Sequence, residues 1–407
     1  MRVKIIQRER YLQELRSVLN TPDIKVITGI RRSGKSILLE ELLDVIRSEV
    51  QNANVIHINY NLTDYEHLQE YHALEAYVEA AWLDGSENYV LIDEIQMCEH
   101  FEKAINSLHA RSKYNILLTG SNAFLQSSDL ATLFVGRCYE MHIYPFSFHE
   151  YLIYFPSENL YGSLTRYIRE GGMAGSYLYA DERQRFRYLN QEVLGALIVR
   201  DVIKKYRIKN PALFERLIDF LMDSIGSTIS VRTIANTLGS AGAPVEHKTI
   251  SRYLDHLCGA FAFYRVRRYD IRGKRYLRSE DKYYLADPGF RYARLGTKNM
   301  DYGHMLENIV ALELMRRGYE IYVGVLYGKE IDFVAISPNS KIYIQVANDI
   351  SESATFEREI RPLMQIKDAY PRMLIARTYQ PPYEHDGVQI IDAAEWLAGN
   401  ARAKIQI

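Results

Sequence analysis

Hydrophobic positions change their spacing several times along this chain. In its first part, short β-branched runs occur at 24–29 (IKVITG), 54–60 (NVIHINY), 88–94 (NYVLIDE) and 114–120 (YNILLTG). They alternate with stretches such as SILLEELLDVIRSEV at 36–50, where apolar residues recur every three or four positions. The first kind of run predicts strands and the second predicts amphipathic helices. Strands alternating with helices predict a parallel sheet with crossover helices, so the fold class expected over 1–155 is α/β. Residues 156–225 read as helical, most clearly in RFRYLNQEVLGALIVRDVIKKY. Over 226–292 short helices and glycines give way to a basic, hairpin-like stretch. From 293 to 407 a helix (GHMLENIVALELMRRG) precedes three strands (YEIYVGVL, EIDFVAI and KIYIQVA). A chain of 407 residues is too long for one core, and these four segments are the expected domains.

Composition narrows the class without naming a chemistry. Hydrophobic residues make up 47% and charged residues 25%, as in ordinary soluble globular proteins. With 50 basic against 51 acidic residues the net charge is −1, so any contact with a polyanion must come from a local patch. Cys98, Cys138 and Cys258 have no paired spacing. They predict neither a disulfide framework nor a zinc site, and they suit a reducing compartment. No run of 18 apolar residues occurs, and MRVKIIQRERYLQEL lacks the apolar centre of a signal peptide. The expectation is a cytoplasmic protein with no membrane partner.

Chemistry enters at 29–36, GIRRSGKS, which fits the pattern G-x-x-x-x-G-K-S/T. The segment Gly29, Ile30, Arg31, Arg32, Ser33, Gly34, Lys35, Ser36 and Ile37 is expected to hold the phosphates of ATP or ADP. Glycines let backbone N–H groups curl around phosphate oxygens where a Cβ would block the approach. Lys35 brings a cation, the Ser36 hydroxyl can ligate Mg²⁺, and the helix that starts there points its positive end at the anion. A β-branched strand before the loop and an amphipathic helix after it supply the context that the motif requires. A second apolar strand ends in Asp93-Glu94. Asp93 is expected to face Mg²⁺, and Glu94 to polarise the attacking water. A third ends in TGSNAF, where Ser121, ahead of Thr119 and Asn122, is expected near the γ-phosphate or the water. The same stretch also reads as a turn with a helix cap. Arg137 reads either as an arginine finger or nucleotide sensor, or as a surface ion-pair residue.

The middle segment offers a partner surface. ISVRTIANTLG at 229–239 predicts a helix capped by Ser230 and stopped at Gly239. EHKTISRYLDHL at 246–257 predicts a second helix that buries Ile250, Leu254 and Leu257 and leaves Lys248 and Arg252 outward. With the hairpin that follows, this is a winged helix-turn-helix pattern. The hairpin 263–282 holds eight basic residues against three acidic ones, Arg267, Arg268, Lys274 and Arg275 among them. Phosphate contact there would give salt-dependent DNA binding. Winged helices also pack against protein partners, and that alternative stays open.

Together GIRRSGKS, LIDEIQ, LLTGSNAFL, VGRCYEMHIYPFSFHEY and YIREGGMAG resemble a prokaryotic AAA-family (AAA+) ATPase with a C-terminal domain of unknown function. The resemblance runs on through KYYLADPGFR, HMLENIVALEL and EIDFVA, covering nearly the whole chain. It implies a P-loop NTPase (AAA+) parallel sheet, a helical segment, a winged helix-turn-helix and a restriction-endonuclease-like C-terminal domain. It implies no particular substrate. Nucleases of the PD-(D/E)XK arrangement need carboxylates for a divalent metal and a lysine beside the scissile phosphate. The resemblance places Glu307 as the helix acid and Asp332 as the first strand acid. Gln345 then stands where the second acid belongs and Ala347 where the lysine belongs. Lys341 on the same strand is at the wrong spacing. A degenerate, non-cleaving site is expected. The leading function is ATP hydrolysis that couples nucleotide state to a DNA- or protein-binding C-terminal half. A slow STAND-type nucleotide switch and an ATP-dependent nuclease are the rivals. Glu94 beside Asp93 favours turnover over the first, and the missing lysine argues against the second.

Overall fold

Near-continuous burial along leucine-, isoleucine- and valine-rich runs builds the first sheet. In the computed structural model, residues 4–120, 133–134, 136–240, 244–273, 275–276, 280–298 and 301–400 are described, without the side chains of 200, 201, 275 and 276. Five parallel strands, β1 (Ile24–Thr28), β2 (Ala53–Asn59), β3 (Glu87–Asp93), β4 (Asn115–Thr119) and β5 (Cys138–His142), lie in the order β2-β3-β4-β1-β5. Val26, Ile58, Val90, Ile92 and Leu118 pack on one face with α3 (Tyr71–Ala80) and α4 (Phe101–Ala110). Ile27, Tyr89, Leu91, Leu117 and Met141 pack on the other with α1 (Glu9–Val18) and α2 (Lys35–Glu49). Both faces are covered, as a parallel sheet requires. The edge strand β5 carries CYEMH, too polar to stand out as a strand from its pattern.

Contacts divide the chain into two units, Met1–Ile143 and Tyr144–Ile407. The first break thus falls before the expected boundary at 155, and the three later segments fold as one unit. The second unit opens with helices α5 (Phe148–Tyr154), α6 (Leu160–Glu170) and α7 (Glu182–Arg187). Ser147 and Glu150 cap α5 reciprocally. Two π-wound stretches, Tyr188–Leu194 and Leu197–Lys204, lead to α8 (Pro211–Asp223). Helices α9 (Val231–Gly239) and α10 (His247–Gly259) follow. The Ser230 hydroxyl accepts from Thr233 N, and Ile250, Leu254 and Leu257 are buried.

The segment after α10 is divided between two sheets. Strand β6 (Phe263–Val266) pairs antiparallel with β9 (Lys282–Leu285). Between them, β7 (Arg268–Asp270) and β8 (Arg275–Tyr276) join a larger sheet, β7 running parallel to β10 (Glu320–Leu326). That sheet has the order β14-β15-β13-β12-β11-β10-β7-β8. Its remaining strands are β11 (Lys329–Ser337), β12 (Ser340–Ala347), β13 (Arg372–Ala376), β14 (Tyr383–His385) and β15 (Val388–Asp392). Backbone pairing with β10 draws residues from the middle segment into the C-terminal sheet, which is why the two fold together. Helices α11 (Pro288–Leu295), α12 (Tyr302–Arg316), α13 (Ser353–Met364) and α14 (Ala393–Ala398) complete the unit. Among the described residues no helix is long and apolar enough to cross a membrane.

Candidate functional site

The loop between β1 and α2 turns through positive φ at two glycines and one arginine. Gly29 has φ +146°, Arg32 +65° and Gly34 +99°. A Cβ on Gly29 would run into the carbonyl oxygen of Ile143, so only glycine fits there. Gly34 caps α2, whose first four N–H groups have no partner within the helix and form an anion-binding end. Lys35 is 5% exposed and donates to the carbonyls of Gly29 at 2.8 Å and Ile30 at 3.2 Å. Ser33 is buried, and its hydroxyl has no hydrogen-bond partner among the described residues. Ser36 is half-buried, while the Ile37 side chain is exposed. Arg8, just before α1, donates to Ser33 O at 3.2 Å and lies over the Tyr11 ring at 4.5 Å.

The acids stand at the same edge of the sheet. Strand β4 separates β1 from β3, so Asp93 ends its strand roughly 10 Å from the end of the loop strand. Asp93 is 1% exposed and accepts from the Thr119 hydroxyl and, at 3.4 Å, from the Asn61 amide. The Glu94 backbone N–H donates to the same threonine oxygen at 3.2 Å. Glu94 has φ +59°, a left-handed conformation uncommon outside glycine, and its carboxylate accepts from the Gln96 side chain. Carboxylate and hydroxyl oxygens from Asp93 and Ser36 are the hard donors that Mg²⁺ prefers. The donor set and the orphaned Ser33 hydroxyl fit a phosphate-bound magnesium ion.

A histidine in β5 tunes this region. Thr28 donates to Glu140 Oε1 at 2.9 Å and meets His142 Nδ1 at 3.2 Å. Since the threonine proton goes to Glu140, His142 donates from Nδ1 and is neutral. Burial first, and then the Lys35 charge, push its pKa down to about 3. The imidazole therefore adds no positive charge to that of Arg31, Arg32 and Lys35 in the loop.

The other expected site residues divide. Ser121 and Lys274 lie outside the described residues, as does the Arg275 side chain. Thr119 touches both acids. Arg137 is exposed at the start of β5, where Ile24 pairs with Cys138. The phosphate loop is at the far end of β1, roughly 16 Å of strand away, beyond an arginine's reach. Arg137 therefore cannot sense this chain's own nucleotide. Lys248, Arg252 and Arg267 are exposed. Arg268 is half-buried and paired with Glu280 at 2.6 Å, which removes it from an open basic patch. Arg265 is likewise held by Asp255 at 2.8 Å.

In the second unit, Glu307 of α12 and Asp332 of β11 both face the Lys282 ammonium and are 4% and 7% exposed. Gln345 is committed on both sides: its oxygen accepts from Asp332 N at 3.3 Å and its amide donates to Glu359 at 3.0 Å. Lys341 pairs with Asp368 at 3.8 Å and lies against the rings of Tyr269, Tyr343 and Tyr370, away from these acids. The lysine beside the acids is Lys282, the last residue of the basic hairpin 263–282.

Comparison with known proteins follows the same division. An AAA domain profile matches residues 21–152, and a domain of unknown function (DUF8612) matches 161–301. A Methanocaldococcus jannaschii protein described as uncharacterized is 28% identical over 88% of this chain and 81% of its own length. Among solved structures, a Walker-type ATPase of Pyrococcus abyssi covers 71% of this chain and 95% of its own at 19% identity, with a TM-score of 0.44. A Haemophilus influenzae protein described as uncharacterized is 37% identical over 97% of this chain and 98% of its own length. Residues 21–152 form an AAA domain, and the chain belongs to the family of that Haemophilus influenzae protein.

Proposed function

We propose that the N-terminal unit binds ATP with Mg²⁺ and hydrolyses it, and that nucleotide state sets the activity of the C-terminal unit. The observation that carries this reading is the Asp93–Thr119–Glu94 arrangement at the same sheet edge as the phosphate loop. The N–H groups opening α2 and the Lys35 ammonium bind and orient the phosphates. Ser36 and Asp93 would hold a magnesium ion, which would supply charge neutralisation at the phosphates. Glu94 accepts a proton from water as the water oxygen bonds to the terminal phosphorus and the bond to ADP breaks. Water gives its hydroxyl to phosphate, and the proton passes through Glu94.

Replacing Lys35 by Ala should abolish nucleotide binding, measured by fluorescent-nucleotide titration. Replacing Glu94 by Gln should retain ATP and lower turnover by about 10²–10⁴-fold. Wild-type turnover in the Glu94→Gln protein would remove the glutamate from this role. The same assay with and without duplex DNA reads the partner class. Stimulation points to DNA through Lys248, Arg252 and Arg267, and its absence points to a protein partner. Gln345 and Ala347 in place of an acid and a lysine support a C-terminal unit that binds without cutting.

A further inference from the structure

The buried acids of the second unit are closed around a cation that the chain supplies itself. Lys282, in β9, is 1% exposed. Its ammonium is 2.7 Å from Glu307 of α12, 2.6 Å from Glu330 of β11 and 3.6 Å from Asp332 of β11. The Tyr284 hydroxyl, two residues along β9, donates to the same Glu307 oxygen at 2.5 Å. The second Asp332 oxygen accepts from Val346 N at 2.8 Å. Asn308 grips the backbone of Leu285 at both its N–H and its C=O, fixing β9 against α12.

Three acidic side chains from α12 and β11 converge on one point, and an ammonium sits at that point. A divalent cation in an oxygen site needs those lone pairs directly on it. Here ammonium, phenol and amide donors engage them. Among the described residues no three carboxylate, imidazole or thiol groups are placed to hold a metal ion. We propose that the Lys282 ammonium takes the place of a divalent cation, making this cluster a closed, metal-free charge centre. The inference requires neither the ATP reaction nor the nuclease resemblance.

Charge supports it. Buried carboxylates facing each other without a cation would repel strongly, and a buried ammonium without anions would be equally costly. Burial alone would lower the Lys282 pKa, yet the surrounding carboxylates outweigh it and raise it. Burial and the neighbouring Glu307 push Asp332 up to about 8, so it holds a proton at neutral pH. Glu330 is partly open to solvent, at 37% side-chain exposure. The ammonium and Glu307 then form the buried pair.

The test is Mn²⁺ binding to the nucleotide-free full chain, read by electron paramagnetic resonance. Wild-type protein should show no Mn²⁺ site that Asp332→Asn removes. Lys282→Met should bind one more Mn²⁺ per chain, roughly tenfold or more tighter than any wild-type binding. Adding Asp332→Asn should abolish that gain. Should Lys282→Met unfold in chelator, Mn²⁺ should restore its melting transition. Lys282→Met with Glu307→Gln, which removes one charge of each sign, should restore it without metal. Wild-type Mn²⁺ binding that Asp332→Asn abolishes would overturn the proposal. So would a folded Lys282→Met protein with no added Mn²⁺ site, or an unfolded one that neither remedy rescues.

Discussion

At the residue scale, Thr119 ties the two acids of the site together. Its hydroxyl donates to Asp93 and accepts from Glu94 N, so it orients the carboxylate and fixes the backbone of its neighbour. Valine is nearly isosteric but has no hydroxyl. Thr119→Val should lower ATP turnover by about 10–100-fold with little change in nucleotide affinity, and Thr119→Ser should keep most of the rate. Steady-state kinetics with separate kcat and KM would check this. An equal loss of affinity would instead mean a binding residue. The loop residues and Asp93-Glu94 were legible because their chemistry is local: glycine, lysine and acid at fixed offsets. Thr119 was not, since three polar residues in TGSN compete and only the strand register chooses among them. Lys282 was hidden for a related reason. Counted along the chain it is one more cation in a basic hairpin, and its carboxylates stand at 307, 330 and 332.

At the scale of elements, two motifs distant in sequence prove to be one joint. The Asp287 carboxylate ends β9 and accepts from Gly172 N at 2.6 Å and Gly289 N at 2.8 Å. This ties the turn after α6 to the start of α11. Gly171 has φ +74° and ψ −169°, a region reserved for glycine, and a Cβ there would overlap the Asp287 carboxylate. Gly171→Ala should destabilise the second unit by about 3 kcal/mol, checked by urea denaturation. Strands and helices with strong periodicity, β1 to β4 and β10 to β12, stand where their patterns put them. Others were not foreseen, among them β5, whose polar residues interleave, β7, whose three residues become a strand only because β10 is beside them, and β13 to β15. Many of the 32 tyrosines serve this scale too. Tyr151, Tyr154, Tyr167 and Tyr177 pack ring to ring with Phe148 and Phe155, and Tyr151 also donates to buried Glu170 at 2.9 Å.

Over the whole molecule a net charge of −1 conceals buried acids whose protonation matters. Asp332 holds its proton to about pH 8, and Asp287 to about 7 because burial outweighs the amides that favour its charged form. Unfolded, both would release protons near pH 4. Their contribution to stability is therefore full below that pH and is lost as pH rises towards 7 and 8. The melting temperature of the second unit should fall between pH 5 and 8. For Asp332 the slope is at most about 1.4 kcal/mol per pH unit, and Asp332→Asn should flatten it. Calorimetry across that range would decide.

Synthesis order gives the Lys282 cluster one more consequence. Chains leave the ribosome from the N-terminus, and Lys282 emerges before Glu307, Glu330 and Asp332. Until those residues follow, seating β9 would bury an ammonium with no counter-charge, which is strongly unfavourable. The nascent chain must keep this strand in water while α12 and β11 are made. Native docking of β9 is thus timed by the arrival of acids encoded 25 to 50 codons downstream, and a pause in translation before them would prolong the exposure of KYYL.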